Sequence, residues 1–174
     1  MERGDALIRY LPKDTKLISV EIGVLAGELS SYLLKQLPKL TLHLVDCWKA
    51  SKNSAYFRSQ KSLNESLILT INRTQFAESR RHIHKLYSQE AAKLFEDESI
   101  DFIFLDANHT YKAVLQDLKD WVPKVKFGGL ISGHDYGKID MNRCIKKTGV
   151  KQAVREYFNT SVELGSNTTW FTNK

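Results

Sequence analysis

The chain has 174 residues, a formal net charge of +6, 42% hydrophobic residues and 26% charged ones. These proportions suit one domain with a buried core and exclude an intrinsically disordered chain. No stretch reaches the roughly 18 apolar residues of a membrane span, and the charged start Met1-Glu2-Arg3-Gly4-Asp5 is unlike a secretory signal, so the cytoplasm is the expected setting.

The 26 basic residues are scattered among 20 acidic ones, Arg80-Arg81-His82-Ile83-His84-Lys85 being the densest group. A mildly basic surface attracts anions, which leaves nucleic acid open beside a small-molecule partner. Cys47 and Cys144 form no CxxC pair, so a zinc knuckle or a thioredoxin-like motif is not available and a reducing compartment fits. With three prolines, nine glycines and no linker-like tract, residues 1–174 are expected to form a single domain.

In chain order, Leu17–Ile22 reads as the first strand. A helix follows with Leu29, Leu33 and Leu37 at helical spacing and Pro38 beyond it. Thr41–Asp46 reads as the second strand. Ser51–Arg80 is a long polar segment, loop and then helix, with Leu63, Leu67 and Ile71 on one face. A third strand falls around His82–Tyr87, then a short helix with Ala91, Ala92, Leu94 and Phe95. Asp101–Asp106 is the clearest strand, a continuous apolar run of the kind buried on both faces. Tyr111, Val114, Leu115, Leu118, Trp121, Val122 and Val125 form one helical stripe. Gly128-Gly129 is expected to turn the chain into a fifth strand, Leu130–Gly133. A helix around Val150–Phe158 precedes two short strands, Ser161–Leu164 and Thr168–Phe171, joined closely enough to be antiparallel. The expected fold is therefore α/β: a Rossmann-like, seven-stranded mixed sheet with helices on both faces and an antiparallel last pair. Only about 16 residues precede the first strand, so an N-terminal helical lid is expected to be short or missing.

In open α/β sheets ligands bind beyond the carboxyl ends of the strands, and those ends carry the polar residues here. The first strand runs into Glu21-Ile22-Gly23-Val24-Leu25-Ala26-Gly27, where two glycines permit a tight turn and close ligand approach. Side chains between them leave less room for a pyrophosphate than GxGxxG does. Asp46 ends the second strand 19 positions after Gly27, the distance at which an acid accepts hydrogen bonds from ribose hydroxyls. The fourth strand ends in Asp106-Ala107-Asn108-His109 and the fifth in Gly133-His134-Asp135-Tyr136. Two His/Asp clusters at adjacent strand ends point to chemistry rather than to turns alone.

Across almost its whole length the chain resembles class I S-adenosylmethionine-dependent methyltransferases. Glu21–Gly27 looks like their first motif and Asp46 like the ribose-binding acid. The pairing of Asp106-Ala107-Asn108-His109-Thr110-Tyr111 with the run from Gly128-Gly129-Leu130 to His134-Asp135-Tyr136 resembles a small O-methyltransferase-like branch. The resemblance implies S-adenosylmethionine as methyl donor, held by Glu21, Gly23, Gly27 and Asp46, with Cys47 and Trp48 near the adenosine, Ser88 and Gln89 near the adenine, and Asp106 near the methionine amino group or a metal.

Methyl transfer from a sulfonium is a direct displacement, and a hydroxyl acceptor must lose its proton to a base or under a cation's influence. Asp106, His109, His134 and Asp135 are the candidate catalytic residues. Asp106, His134 and Asp135 are candidate ligands for a divalent cation. Magnesium prefers oxygen donors, so His134 admits manganese or zinc instead, and His109 or His134 acting as a metal-free base stays open. So do a nicotinamide oxidoreductase and a nucleotide-binding module without catalysis. The acceptor pocket is expected from Ser51–Arg80, from Gly137–Gly149 or from another subunit in an oligomer.

Overall fold

The computed structural model describes residues 2–50, 58–137 and 149–174. Cys144, the start of the Ser51–Arg80 segment and the body of the Gly137–Gly149 loop lie outside the described residues. Seven strands form one sheet: β1 (Leu17–Ile22), β2 (Leu40–Val45), β3 (Arg81–His84), β4 (Ile100–Leu105), β5 (Val125–Gly133), β6 (Glu163–Leu164) and β7 (Trp170–Asn173). Their order is β3-β2-β1-β4-β5-β7-β6. The first five run parallel, while β7 is antiparallel to both β5 and β6. The chain reverses its direction of travel across the sheet between β1 and β4, which is where such sheets open a ligand crevice.

Among the described residues six α-helices accompany the sheet: α1 (Glu2–Ile8), α2 (Glu28–Gln36), α3 (Gln60–Thr74), α4 (Ser88–Ala92), α5 (Tyr111–Trp121) and α6 (Val150–Phe158). The period-2 alternation of the strands sorts their side chains into two cores. Leu42, Leu44, Phe102 and Phe104 face Leu7 of α1, Leu29 and Leu33 of α2 and Leu63 of α3. Val20, Ile22, Val45, Ile103 and Ile131 face Ala91 of α4, Val114, Leu118 and Trp121 of α5, and Ala153 of α6. Central strands buried on both sides need apolar residues at every position, and β4 is buried at all but Asp101. No helix among the described residues is long and apolar enough to cross a membrane.

Two expectations change. Gly128-Gly129 does not turn the chain into a strand but lies within β5, which begins at Val125. The register moves from Ile100↔Val125 to Phe102↔Leu130, so the longer β5 stretch bulges against β4, with Gly128 at φ 74°. On α3 the buried residues are Leu63, Ser66, Thr70 and Thr74, and Ile71 is exposed. Leu63 and Leu67 of the anticipated face pack on the core, while beside them the Thr70 hydroxyl reaches Leu25 O and those of Ser66 and Thr74 bond back to carbonyls of the helix itself. The N-terminal helix, expected to be short or missing, is present and short, at seven residues. Ala6, Leu7 and Leu11 enter the core, and Gly4 lets α1 lie against the Tyr32 ring, where a Cβ would meet Cδ1 at 2.5 Å.

Candidate functional site

The five parallel strands end level with one another, and a hydrogen bond stitches each tip to its neighbour. Gly23 N donates to Val45 O at 2.9 Å, Asp46 N to His84 O at 3.2 Å, Asp106 N to Ile22 O at 2.8 Å and His134 N to Leu105 O at 3.1 Å. The polar residues of β1, β2, β4 and β5 therefore line a single edge.

The glycine turn is held from three sides. Gly23, at φ 92°, lies so close to the β4 tip that a Cβ would reach Ala107 N at 2.6 Å and sit nearer still to the Asp106 carbonyl. Gly27, at φ 70°, faces α3, where a Cβ would meet Thr70 Cα at 2.9 Å. Leu25 O accepts from Thr70 Oγ1 at 3.0 Å and from Trp48 Nε1 at 2.7 Å, and Ala26 O accepts from Arg73 Nη1 at 2.7 Å. Thr70 and Arg73 escape a reading of sequence because a Thr and an Arg at helical spacing look like any solvated face.

Asp46 fixes this turn to the end of β2. One carboxylate oxygen accepts from Leu25 N and the other from Trp48 N, each at 2.9 Å. Both donors belong to left-handed residues, Leu25 at φ 52° and Trp48 at φ 42°. A carboxylate has about four acceptor sites, so Asp46 keeps capacity for ribose hydroxyls. Trp48 is fully buried, its indole braces the turn through Leu25 O, and the residue borders the adjoining cavity. That cavity, of about 270 Å³, is walled by Cys47, Trp48, Lys49, Gln60, Lys85, Leu86, Tyr87 and Glu90, and it is roomy enough for a purine. Burial pushes the Cys47 thiol up. Ser88 and Gln89 are not on this wall: Ser88 Oγ accepts from Trp121 Nε1 at 2.8 Å and hydrogen-bonds the buried Asp117 carboxyl.

Glu21 lies beneath the turn, fully buried, with Ser30 Oγ donating to it at 2.5 Å. Burial pushes its carboxyl up to about 8, against the opposing pull of the Ser30 hydroxyl and of Arg3.

At the tips of β4 and β5 four side chains converge. His109 spans two carboxylates, with Nε2 3.1 Å from Asp106 Oδ1 and Nδ1 2.9 Å from Asp135 Oδ2. Burial alone would favour its neutral form, but the two carboxylates outweigh burial and raise its pKa to about 9. Asp135 is held well below the usual carboxylate range, because hydrogen bonds from His109 and His134 overcome burial. His134 Nδ1 lies 2.9 Å from Asp135 and 3.7 Å from Asp106. Its Nε2 is buried without a hydrogen-bond partner among the described residues, and it borders a small cavity shared with Asp117 and Trp170. Asp135 adopts φ 59°, a conformation that costs a non-glycine residue about 1–2 kcal/mol. One donor atom from each of Asp106, His134 and Asp135 falls within 4.8 Å of the others, a set of two carboxylates and one imidazole that fits a divalent cation.

A fifth side chain joins this group from α1: Arg3 Nη1 donates to Asp106 Oδ2 at 2.6 Å. An arginine in an N-terminal arm carries no pattern that would have singled it out.

The fold and the edge of acids beside a glycine turn are those of a methyltransferase-like Rossmann domain. A family model described as a methyltransferase domain matches residues 20–136, and the chain belongs to that family. Solved structures of similar fold include an rRNA methylase from Streptococcus thermophilus (TM-score 0.61, 13% identity, covering 97% of this chain and 90% of that one). A SAM-dependent methyltransferase from Aquifex aeolicus is similar as well (0.61, 13%, 98% and 87%). So is an O-methyltransferase family protein from Burkholderia thailandensis (0.59, 14%, 89% and 49%), of whose length this chain spans about half. At these identities the likeness is one of fold. No curated protein matches the chain.

Proposed function

We propose that the protein transfers a methyl group from S-adenosylmethionine to a hydroxyl of a small-molecule acceptor, assisted by a divalent cation. The observation that carries this reading is the convergence of Asp106, His109, His134 and Asp135 on one point beside the glycine turn. The cofactor's fit rests on Gly23 and Gly27, on the remaining acceptor capacity of Asp46, and on the cavity beside Cys47 and Trp48. In this reading Gly23 and Gly27 let the methionine end approach the backbone, Asp46 binds the ribose, and Asp106 supplies negative charge near the cofactor's cationic end.

Asp106, His134 and Asp135 would hold the cation, which would act as a Lewis acid lowering the pKa of the acceptor hydroxyl. The mixed oxygen and nitrogen set suits manganese or zinc better than magnesium. His109, spanning two carboxylates, is protonated at neutral pH in the absence of a cation. In that state it is a hydrogen-bond donor rather than a base. Direct displacement then asks of the protein that it align the acceptor behind the methyl carbon and exclude water.

The test has two stages. Calorimetry should detect S-adenosylhomocysteine and not NAD; the reverse would end the reading. Methyl transfer from labelled S-adenosylmethionine should then be followed over phenols, sugars and RNA, with and without chelator. Chelation and Asp135→Ala should each abolish turnover on the accepted substrate while leaving cofactor affinity nearly unchanged. Full activity in both Asp135→Ala and His134→Ala would remove the cluster from the mechanism, and turnover on RNA alone would redirect the acceptor assignment.

A further inference from the structure

The cofactor site as described is rich in acids. Asp46 and Asp106 end the strands that border it, and Asp135 follows at the tip of β5. Acids suit a ligand's sulfonium and ammonium groups, but S-adenosylmethionine also carries an α-carboxylate, which such a wall repels. A cation at the amino-acid end would offset that repulsion, and Lys49 and Lys85 border the adenine-side cavity instead.

Arg3 offers one. Its guanidinium lies over the tips of β1 and β4, 2.6 Å from Asp106 and close enough to Glu21 to act on its carboxyl. Its position is not the accident of a loose terminus. Ala6, Leu7 and Leu11 anchor α1 in the core, Tyr10 stacks on Phe171 with ring centroids 4.4 Å apart, and the Tyr32 hydroxyl donates to Asp5. Gly4, beside Arg3, allows the close approach to Tyr32 that sets the helix over the crevice. The arginine side chain is 26% exposed, so it borders the crevice rather than the core. A guanidinium offers five N–H donors in a planar fork that matches a carboxylate, and the Asp106 contact engages only one of its nitrogens.

We propose that Arg3 is the anchor for the α-carboxylate of the cofactor's amino-acid end, and that its contact with Asp106 is where it rests between ligands. This rests on the cofactor reading above. It makes α1 part of the cofactor site, so that the N-terminal helix reports whether the ligand is a complete amino-acid nucleoside.

The experiment is calorimetry on the full chain with S-adenosylhomocysteine and with its decarboxylated form, which keeps the ammonium and lacks only the carboxylate. Wild type should prefer the complete ligand by about ten- to a hundredfold, as expected for one charge-assisted pair. Arg3→Ala should lose that margin, weakening S-adenosylhomocysteine by a similar factor and leaving the decarboxylated ligand within about twofold. Arg3→Lys should keep part of it, because a lysine is a point charge without the fork. Equal weakening of both ligands in Arg3→Ala would reduce Arg3 to a support for α1 and overturn the proposal. So would unchanged or tighter S-adenosylhomocysteine binding. Wild type that binds neither ligand overturns the cofactor reading itself, a failure recognisable because it precedes any substitution.

Discussion

Asp46→Asn separates a structural role from a ligand role at one atom's difference. The carboxylate of Asp46 accepts one backbone N–H on each oxygen, from Leu25 and Trp48 at 2.9 Å. Asparagine has one oxygen, so its amide must turn an NH₂ group toward one of those donors. The lost charge-assisted bond is worth about 1.5–3 kcal/mol. The donor left unpaired belongs to a left-handed residue, Leu25 at φ 52° or Trp48 at φ 42°, whose conformation costs about 1–2 kcal/mol and is then less firmly held. Together these predict a stability loss of about 2–4 kcal/mol, or a fall in Tm of roughly 5–15 °C for a domain of this size. Urea and thermal melts of the ligand-free protein measure it. S-adenosylhomocysteine titration, at a temperature where both forms are folded, should show a further loss of affinity. A ligand-free variant that melts within half a kcal/mol of wild type, by about the same m-value, would refute the argument that Asp46 splints the turn.

Glu21→Gln should stabilise the ligand-free protein. The buried carboxyl holds its proton up to about pH 8 while the unfolded chain releases it near 4.5, so wild-type stability declines as pH rises between those values. The amide should remove that decline and add a few kcal/mol at pH 8, as read by urea melts across pH. His43 behaves oppositely. Burial, with His82 and His84 adding to it, lowers its pKa to about 4, so its contribution is complete above about pH 6.5 and is lost as pH falls toward 4, by about 1–2 kcal/mol after allowance for its partial exposure. His43→Phe should flatten that acid limb. Trp121→Ala should cost about 3–5 kcal/mol, because the indole is fully buried and Ser88 loses its donor. Trp121→Phe, which keeps most of the ring volume, should cost clearly less by the same melts.

The sheet was legible because its signals are strong and local. Phe102-Ile103-Phe104-Leu105 has only one place to go in a parallel sheet, and Asp46, Asp106, His134 and Asp135 were marked out by ending such strands. What was not legible has a common cause: it depends on backbone met across the fold. Thr70 and Arg73 serve carbonyls of the glycine turn more than forty residues away. Trp48, an aromatic beside a candidate ribose acid, looks like a stacking partner for a base, yet its indole turns inward to Leu25 O. Gly128-Gly129 has the composition of a turn, and only the register against β4 reveals a bulge. Arg3 is informative only once the packing of α1 is known.

The stitching of the strand tips has a consequence for how the protein fails. Asp106 N reaches Ile22 O, and Gly23 admits the Asp106 carbonyl, so the crevice is closed by partners some eighty residues apart in the chain. The turn and the β2 acid lie in the first third of the sequence and the β4–β5 cluster begins sixty residues beyond Asp46, so no short fragment contains the whole crevice. Such long-range pairings form slowly and late in folding. A ligand that bridges them binds only the finished sheet and therefore stabilises the molecule as a whole. Protection from proteolysis by S-adenosylhomocysteine should accordingly extend to distant sites such as the α5–β5 junction, rather than being confined to the loops that touch the ligand.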